Sequence, residues 1–397
     1  MIRKIVHAFS ILSLFLLSAC SDDPSTLGTG LLEQDQLIIT NISSVNDSLP
    51  QQSYSFKRII QLGSTDRILL GQYDGVDAKI IVKYLMNLPS SFKDAIQKDS
   101  FKIESAKIVF LPRYTYGDTN AVFPTYAVQG HEITENWDFL KVRSDSIPAY
   151  NQSKDILTQK NAPDSLYTFL VDTAIVMQWI KNNYDTIAYK NYGMLLRMSV
   201  PSPKIMGFQA YSSSATTSNP RIEVRLKKID GKVDTTITFY SFADVHTVEG
   251  AVPVLANDEI VVRAGVTVAS RLYFDLTRLP KHIVINKATL TLTADTLKSQ
   301  NGTIGKNAID VFYITSLTGD STVSIEVNSM GTLSYSKGVY TGDVTAIVTK
   351  LVGTANNGVL ISANGQSEGT AKFFLKSSKA EYAKRPNLVI SYSKLKL

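Results

Sequence analysis

Pro220-Arg221-Ile222-Glu223-Val224-Arg225-Leu226 decides how this chain is read. Ile222, Val224 and Leu226 alternate with Arg221, Glu223 and Arg225. That period of two puts the apolar side chains on one face of a strand and the charged ones on the other, the pattern of an antiparallel sheet with one face buried and one wet. Close to the C-terminus the pattern returns in diverged form as Pro386-Asn387-Leu388-Val389-Ile390. A proline followed by an alternating strand, twice, points to a duplicated β module.

Working back from each copy, further segments match in order. Leu69-Leu70-Gly71-Gln72-Tyr73, an apolar run to Leu85, Leu88-Pro89 and Ile103-Glu104-Ser105-Ala106 make up the upstream half of the first copy. Their counterparts are Val261-Val262-Arg263-Ala264-Gly265, Leu272 to Leu276, Leu279-Pro280 and Ile285-Asn286-Lys287-Ala288. Downstream, Asp172-Thr173-Ala174-Ile175-Val176 answers Asp343-Val344-Thr345-Ala346-Ile347. Asn191-Tyr192-Gly193 answers Asn357-Gly358, and the stretch from Phe208 answers the stretch from Phe374. Leu290 and Leu292 alternate with threonines, and glycine, asparagine and proline punctuate the strands as turns require. The Asp172 and Asp343 segments break the alternation. Aspartate caps a first helical turn by accepting orphan N–H groups, and Ile175, Val176, Trp179 and Ile180 fall at helical spacing, with Trp179 directed at the core.

The expected fold is therefore all-β, two tandem antiparallel jelly-roll-like β-sandwiches, each with one short helix. The boundaries read as a signal peptide over 1–19, an anchor tether and N-terminal strand over 20–50, and a first sandwich over 51–230 with an insertion at about 114–166. A linker over 231–256 and a second sandwich over 257–397 follow. The ordered set of Leu-Pro turn, Ile-x-x-Ala strand, Asp-capped helix, Asn-x-Gly strand, aromatic-Ser-Ser segment and closing Pro-x-(Leu/Ile) strand resembles the DNRLRE-type β-sandwich modules of secreted bacterial proteins. The resemblance implies jelly-roll modules, some of which bind carbohydrate.

The first twenty residues place the chain. Arg3 and Lys4 precede an apolar run from Ile11 to Leu17, and Leu17-Ser18-Ala19-Cys20 follows. This is the layout of a secretory signal, and its apolar run is too short for a bilayer core of about 30 Å. Leu-Ser-Ala-Cys resembles the lipobox of bacterial lipoproteins, which implies that Cys20 is lipidated, becomes the first mature residue and anchors the chain to a membrane. The polar run Ser21-Asp22-Asp23-Pro24-Ser25-Thr26 reads as a tether. Its acidic pair resembles the surface-export signals of Bacteroidota lipoproteins. Leu27-Gly28-Thr29-Gly30-Leu31-Leu32 looks like the opening of an uncharacterised family of large Bacteroidota lipoproteins. Together these imply the outer membrane and its cell-surface face.

Composition bounds the chemistry. The chain has 397 residues and one cysteine, so an intrachain disulfide and a thiolate metal site are both excluded. Loss of Arg3 and Lys4 with the leader leaves 39 basic residues against 35 acidic, a formal +4. The excess lies from Asp258 onward, a modest charge that suits an ordinary solvated surface, and an exported chain gives no reason to expect nucleic acid. His131, His246 and His282 stand at no metal spacing, and no cofactor is expected. The Asp74-Gly75-Val76-Asp77 stretch has too few acids for a calcium loop and reads as a turn. Glu132, Glu135 and Asp138 cluster beside Trp137 as a glycoside hydrolase would use them, with a solvated loop as the plainer reading.

The expected function is a non-enzymatic, lipid-anchored envelope protein acting as a binding or scaffold module toward a glycan or an envelope protein. Tyr114, Tyr116, Tyr126 and Trp137 in the insertion are the ligand candidates, because insertions carry function and exposed rings stack on sugars.

Overall fold

The computed structural model describes residues 37–395 apart from 64, 145, 162–163, 215, 232, 306, 319–321 and 327–330. Cys20 and the segments expected to be a leader and a tether lie outside the described residues. The described residues are all-β, with two large antiparallel sheets and three short α-helices among them, α1 (Ser90–Gln97), α2 (Thr173–Lys181) and α3 (Thr345–Gly353).

Residues of the first module form an eleven-stranded sheet. It runs Pro112–Gly117, Lys204–Gln209, Arg67–Tyr73, Val76–Tyr84, Asp234–Gly250, Arg221–Lys228, Phe101–Phe110, Tyr167–Val171 and Leu157–Lys160. Met194–Met198 pairs with both Val76–Tyr84 and Val128–Glu132. In the second module, Lys372–Lys376 pairs with Glu259–Arg263 on one side and Val284–Gln300 on the other, which closes that sheet into a barrel. The sequence duplication reappears as register. Ile222 lies opposite Ile108 and Val224 opposite Ala106, as Ile390 lies opposite Ala288 and Leu388 opposite Leu290. Phe208 pairs with Ile68, and Phe374 with Val261. Ile222, Val224, Leu226, Leu388 and Ile390 are buried, as their alternation requires.

The turn before the inner strand is built identically in the two copies. Asn191 Nδ2 donates to Tyr84 O at 3.0 Å, and Asn356 Nδ2 donates to Phe274 O at 2.8 Å. The true partner of Asn191 is thus Asn356, one residue from the sequence match. Gly193 and Gly358 both take left-handed φ values, +83° and +80°. A Cβ on Gly193 would lie 2.2 Å from Val82 O, and one on Gly358 2.4 Å from Leu272 O, so only glycine fits. The helix starts are similar but not the same: Asp172 is the N-cap of α2, whereas Val344 holds the N-cap position of α3 without a side-chain cap bond and Asp343 precedes it. Asp172 Oδ1 accepts from Ala174 N at 2.9 Å, and Asp343 Oδ1 accepts from Thr345 N at 2.8 Å. Trp179 is fully buried in the first core, as its helical spacing indicates.

Three features differ from the sequence reading. First, the stretch 231–256 is not a linker. It contains Asp234–Gly250, a 17-residue strand whose first part pairs with Arg221–Lys228 and whose second part pairs with Val76–Tyr84, both in the first module. Second, the chain ahead of the first module completes the second. Leu37–Ser43 pairs with Asn387–Leu395, and Gln51–Lys57, assigned by sequence to the first sandwich, pairs with Val268–Phe274. Each module is thus completed by the segment that precedes the other, with Asp234–Gly250 bridging Val76–Tyr84 and Arg221–Lys228 inside the first sheet, because the closing and inner strands of both modules have backbone groups that need a partner. Third, the first module carries a helix, α1, beyond the one short helix expected of each sandwich.

Candidate functional site

Three places gather chemistry: the seam between the modules, the surface of the insertion, and the helix end of each sandwich.

The seam is built on the turn Asp74-Gly75. Both residues have positive φ, +53° and +71°, and join Tyr73 to Val76 across a two-residue hairpin, the geometry that an Asp-Gly pair favours. The turn reading of 74–77 therefore stands. Its position places the Asp74 carboxylate against the second module, where Oδ2 accepts from Arg263 Nη2 at 2.7 Å, Lys372 Nζ at 2.7 Å and Tyr116 OH at 3.0 Å. Burial pushes this carboxyl up, but the Lys372 hydrogen bond and the Arg263 charge outweigh burial and hold it below the ordinary aspartate value. Around the cluster, Leu69, Val76, Ile205 and Val248 of the first module pack with Val261, Val266, Val268 and Phe374 of the second.

Tyr114 and Tyr116, taken from sequence as ligand platforms, belong to this seam. They are 3 % and 0 % exposed. Tyr114 OH accepts from Thr370 N at 3.1 Å, and Arg67 lies over its ring while donating to Glu368 at 3.2 Å. The second module receives the ring at glycines. A Cβ on Gly302 would come within 2.1 Å of it, and one on Gly369 within 3.0 Å of its hydroxyl. Their aromatic area therefore joins modules and is not offered to a ligand. The glycines facing Tyr114 were the sequence signal for this, but which aromatic they face is a tertiary fact.

The insertion itself folds over the outer face of the first sheet. Trp137 is half-buried beside Leu62, Ile81, Ile133, Val142, Leu195 and Val245, and its Nε1 donates to Tyr192 O at 2.7 Å. It anchors a loop, with its indole N–H already satisfied. Tyr126 alone of the four candidate rings stands out, 74 % exposed. The nearby carboxylates are held separately. Glu135 Oε1 accepts from Ala149 N at 2.7 Å, and Asp138 Oδ1 accepts from Leu140 N at 3.0 Å. Glu132 is half-buried, and burial raises its carboxyl above the usual range. His131 is buried with Nδ1 3.0 Å from both Asn151 O and Lys154 O, whereas His282 is exposed on a different module.

The helix ends differ between the copies, and sequence reasoning missed this. In the second module a cleft of about 520 Å³ opens between the Leu279-Pro280 turn and the C-terminus of α3. Leu276, Leu279, Pro280, Ile283, Leu351 and Val352 supply its apolar lining. Asp275, Lys281, His282 and Asn356 stand at its rim, with Asp275 accepting from Thr277 N at 2.9 Å. In the first module the matching position is filled. Eleven residues, 90–100, separate Pro89 from Phe101, against Lys281 and His282 alone between Pro280 and Ile283. The extra residues form α1, and its Phe92, Ala95 and Ile96 pack into the same core as Met86, Leu88, Phe101, Trp179 and Ile180. The outcome is visible at one pair of matched positions at the helix ends. Ile180 is fully buried, and Val352 is 36 % exposed. The cleft has the size and mostly apolar lining of a ligand site.

Comparison of the chain with family models, with curated proteins and with solved structures returned no match.

Proposed function

We propose that this chain is a non-enzymatic lipoprotein of the outer membrane, held through Cys20 with its modules on the cell-surface face, and that it acts as a binding or scaffold unit. The observation that carries the reading is the unequal pair of helix ends. One module plugs its cleft with its own helix, and the other leaves the same cleft open. A fold that already contains the cover for this cleft, and omits it once, points to a partner that supplies it. The seam supports the scaffold part of the reading, because a shared apolar core and a three-donor carboxylate bind the modules into one unit. The tether supports orientation. Leu37, where the described chain begins, lies opposite Leu395, and Ser393 two residues back pairs with Val284, the neighbour of cleft residue Ile283. The membrane-linked segment therefore joins the second module at its cleft end.

The test uses the full chain in a diderm bacterium fed an alkyne fatty acid. A membrane-bound, labelled chain, with the label lost in Cys20→Ser, is the expected result. In the same cells a photo-crosslinking residue at Val352 is expected to trap a partner, and one at Ile187, 90 % exposed on the first module, is not. An unlabelled chain, or equal labelling of Cys20→Ser, removes the anchor. Equal or absent crosslinking at the two positions removes the cleft as the site.

A further inference from the structure

The chemistry of the cleft's occupant can be taken from the molecule itself. We infer that the open cleft of the second module receives a short amphipathic helix from a partner protein, seated as α1 is seated in the first module. This rests on the binding-module reading above and specifies what that module binds.

In the first module, α1 begins directly after Leu88-Pro89 and turns Phe92, Ala95 and Ile96 toward the core. These are i, i+3 and i+4 positions, one stripe of a helix. The Phe92 ring sits 5.4 Å from the Phe101 ring, and Ile96 is 1 % exposed. A second cover follows α2, where residues 182–190 lead to Asn191 and Tyr184 packs on the core. The second module keeps every wall of this seat: the Leu-Pro turn, the helix, and the asparagine that donates to the end of the inner strand. It lacks both covers. Only Lys281 and His282 follow its Leu-Pro turn, and only Thr354 and Ala355 separate Gly353 from Asn356. The apolar parts of the two absent segments are the Phe92, Ala95 and Ile96 stripe of α1 and Tyr184, so what remains in the second module is an apolar seat without the helix stripe that covers its counterpart.

Other occupants fit less well. A second copy of this chain would have to offer α1, whose apolar stripe is already buried in its own module. The rim carries one ammonium, Lys281, and one carboxylate, Asp275, so it selects no strongly charged ligand. Docking of an apolar helix stripe into a groove at i, i+3 and i+4 anchors is a known mode of recognition and meets the geometry here.

The probe is a synthetic peptide of residues 88–100, fluorescein-labelled and stapled between positions 93 and 97, which are exposed on α1. The staple is needed because a helix this short is marginal alone in water. It is titrated into the soluble chain from Leu27 onward, whose own first-module seat is occupied. Saturable binding is expected, weakened about tenfold or more by Val352→Glu, a change corresponding to about 1.4 kcal/mol. The Leu279→Glu variant is expected to weaken it similarly, and a peptide with Phe92→Ala and Ile96→Ala is expected not to bind. Val352 is partly exposed, so its variant tests the seat without disturbing the core. Absence of saturable binding overturns the inference, as does binding that survives Val352→Glu. Binding of a fluorescent fatty acid instead of the peptide, lost in Val352→Glu, also overturns it and assigns the cleft to a small apolar ligand. Failure of the peptide with intact anchoring and crosslinking at Val352 rejects the helix alone. Failure of the anchoring and crosslinking readouts rejects the binding-module reading itself.

Discussion

Strand Asp234–Gly250 carries two ionisable side chains into the first core, and they should give opposite pH dependences. Asp244 lies opposite Val82 and His246 opposite Ile80, so both face inward with those core residues. Asp244 is 8 % exposed and accepts from Tyr211 N at 2.9 Å and Ser241 Oγ at 3.1 Å. Burial outweighs those hydrogen bonds and raises its carboxyl from 3.8 to about 7. His246 is fully buried, and burial lowers its imidazole from 6.5 to about 4. Each tenfold change in a group's proton affinity corresponds to about 1.36 kcal/mol. Between pH 3.8 and about 7 the folded chain keeps a proton on Asp244 that the unfolded chain has released. Stability therefore falls as pH rises, by about 4 kcal/mol in all. Between pH 6.5 and about 4 the unfolded chain takes up a proton on His246 that the folded chain refuses, and stability falls as pH drops, by about 3 kcal/mol. Over most of that window the two slopes cancel.

Single substitutions should uncover each slope. Relative to the parent, Asp244→Asn should gain about 4 kcal/mol between about pH 4 and 7, and His246→Leu should gain about 3 kcal/mol between about pH 6.5 and 4. Urea unfolding of the soluble chain across about pH 4 to 7.5 reads both differences, and subtraction from the parent removes every other titrating group. A parent-minus-variant difference for Asp244→Asn that is level across this range would mean that the carboxyl ionises normally in the fold, and the argument from burial would fail.

Three further outcomes follow from the architecture. Tyr114→Ala should cost about 3–5 kcal/mol, the range for emptying a buried aromatic site, and should separate the unfolding of the two modules in calorimetry; a loss below about 1 kcal/mol would show that the seam does not depend on this ring. A fragment of residues 257–397 lacks both N-terminal edge strands and should unfold at lower urea than the same fragment mixed with a peptide of residues 37–57; equal midpoints would refute the strand exchange. Gly193→Ala and Gly358→Ala should each lower the midpoint clearly, since each puts a Cβ against a carbonyl oxygen at positive φ; a neutral result at either site would mean that the two turns are not built alike.

Much of the local structure was legible in the sequence. Alternation at Ile222 to Leu226 and Leu388 to Ile390 depends only on which face of a strand is wet, so it survives in the residue order. Asp172 caps its helix and Asp343, one residue before the cap of its own, bonds to a neighbour two residues away, and Asp74-Gly75 turns on its own φ values. The duplication was visible because both copies retained these local requirements. The stripe of α1, Phe92 with Ala95 and Ile96 after Pro89, was also there to be read, but eight residues between strands gave a weak signal beside the surrounding alternation.

What the tertiary structure alone decided involves residues far apart in the chain. Leu37–Ser43 reads as an N-terminal strand and Asp234–Gly250 as part of a linker, and no local property says which strand either will pair with. Tyr114 and Tyr116 read as surface rings because insertions are usually exposed; Gly302 and Gly369 against Tyr114, and the seam residues Val261, Val266, Val268 and Phe374, far along the chain, bury them. The open cleft is a difference between matched positions of the two modules, set by what Lys281 and His282 are too short to cover. Side-chain burial depends on the sum of all neighbours, whereas a strand's alternation depends on the next residue, and that is why the sequence by itself carried the modules and the folded chain carried the site.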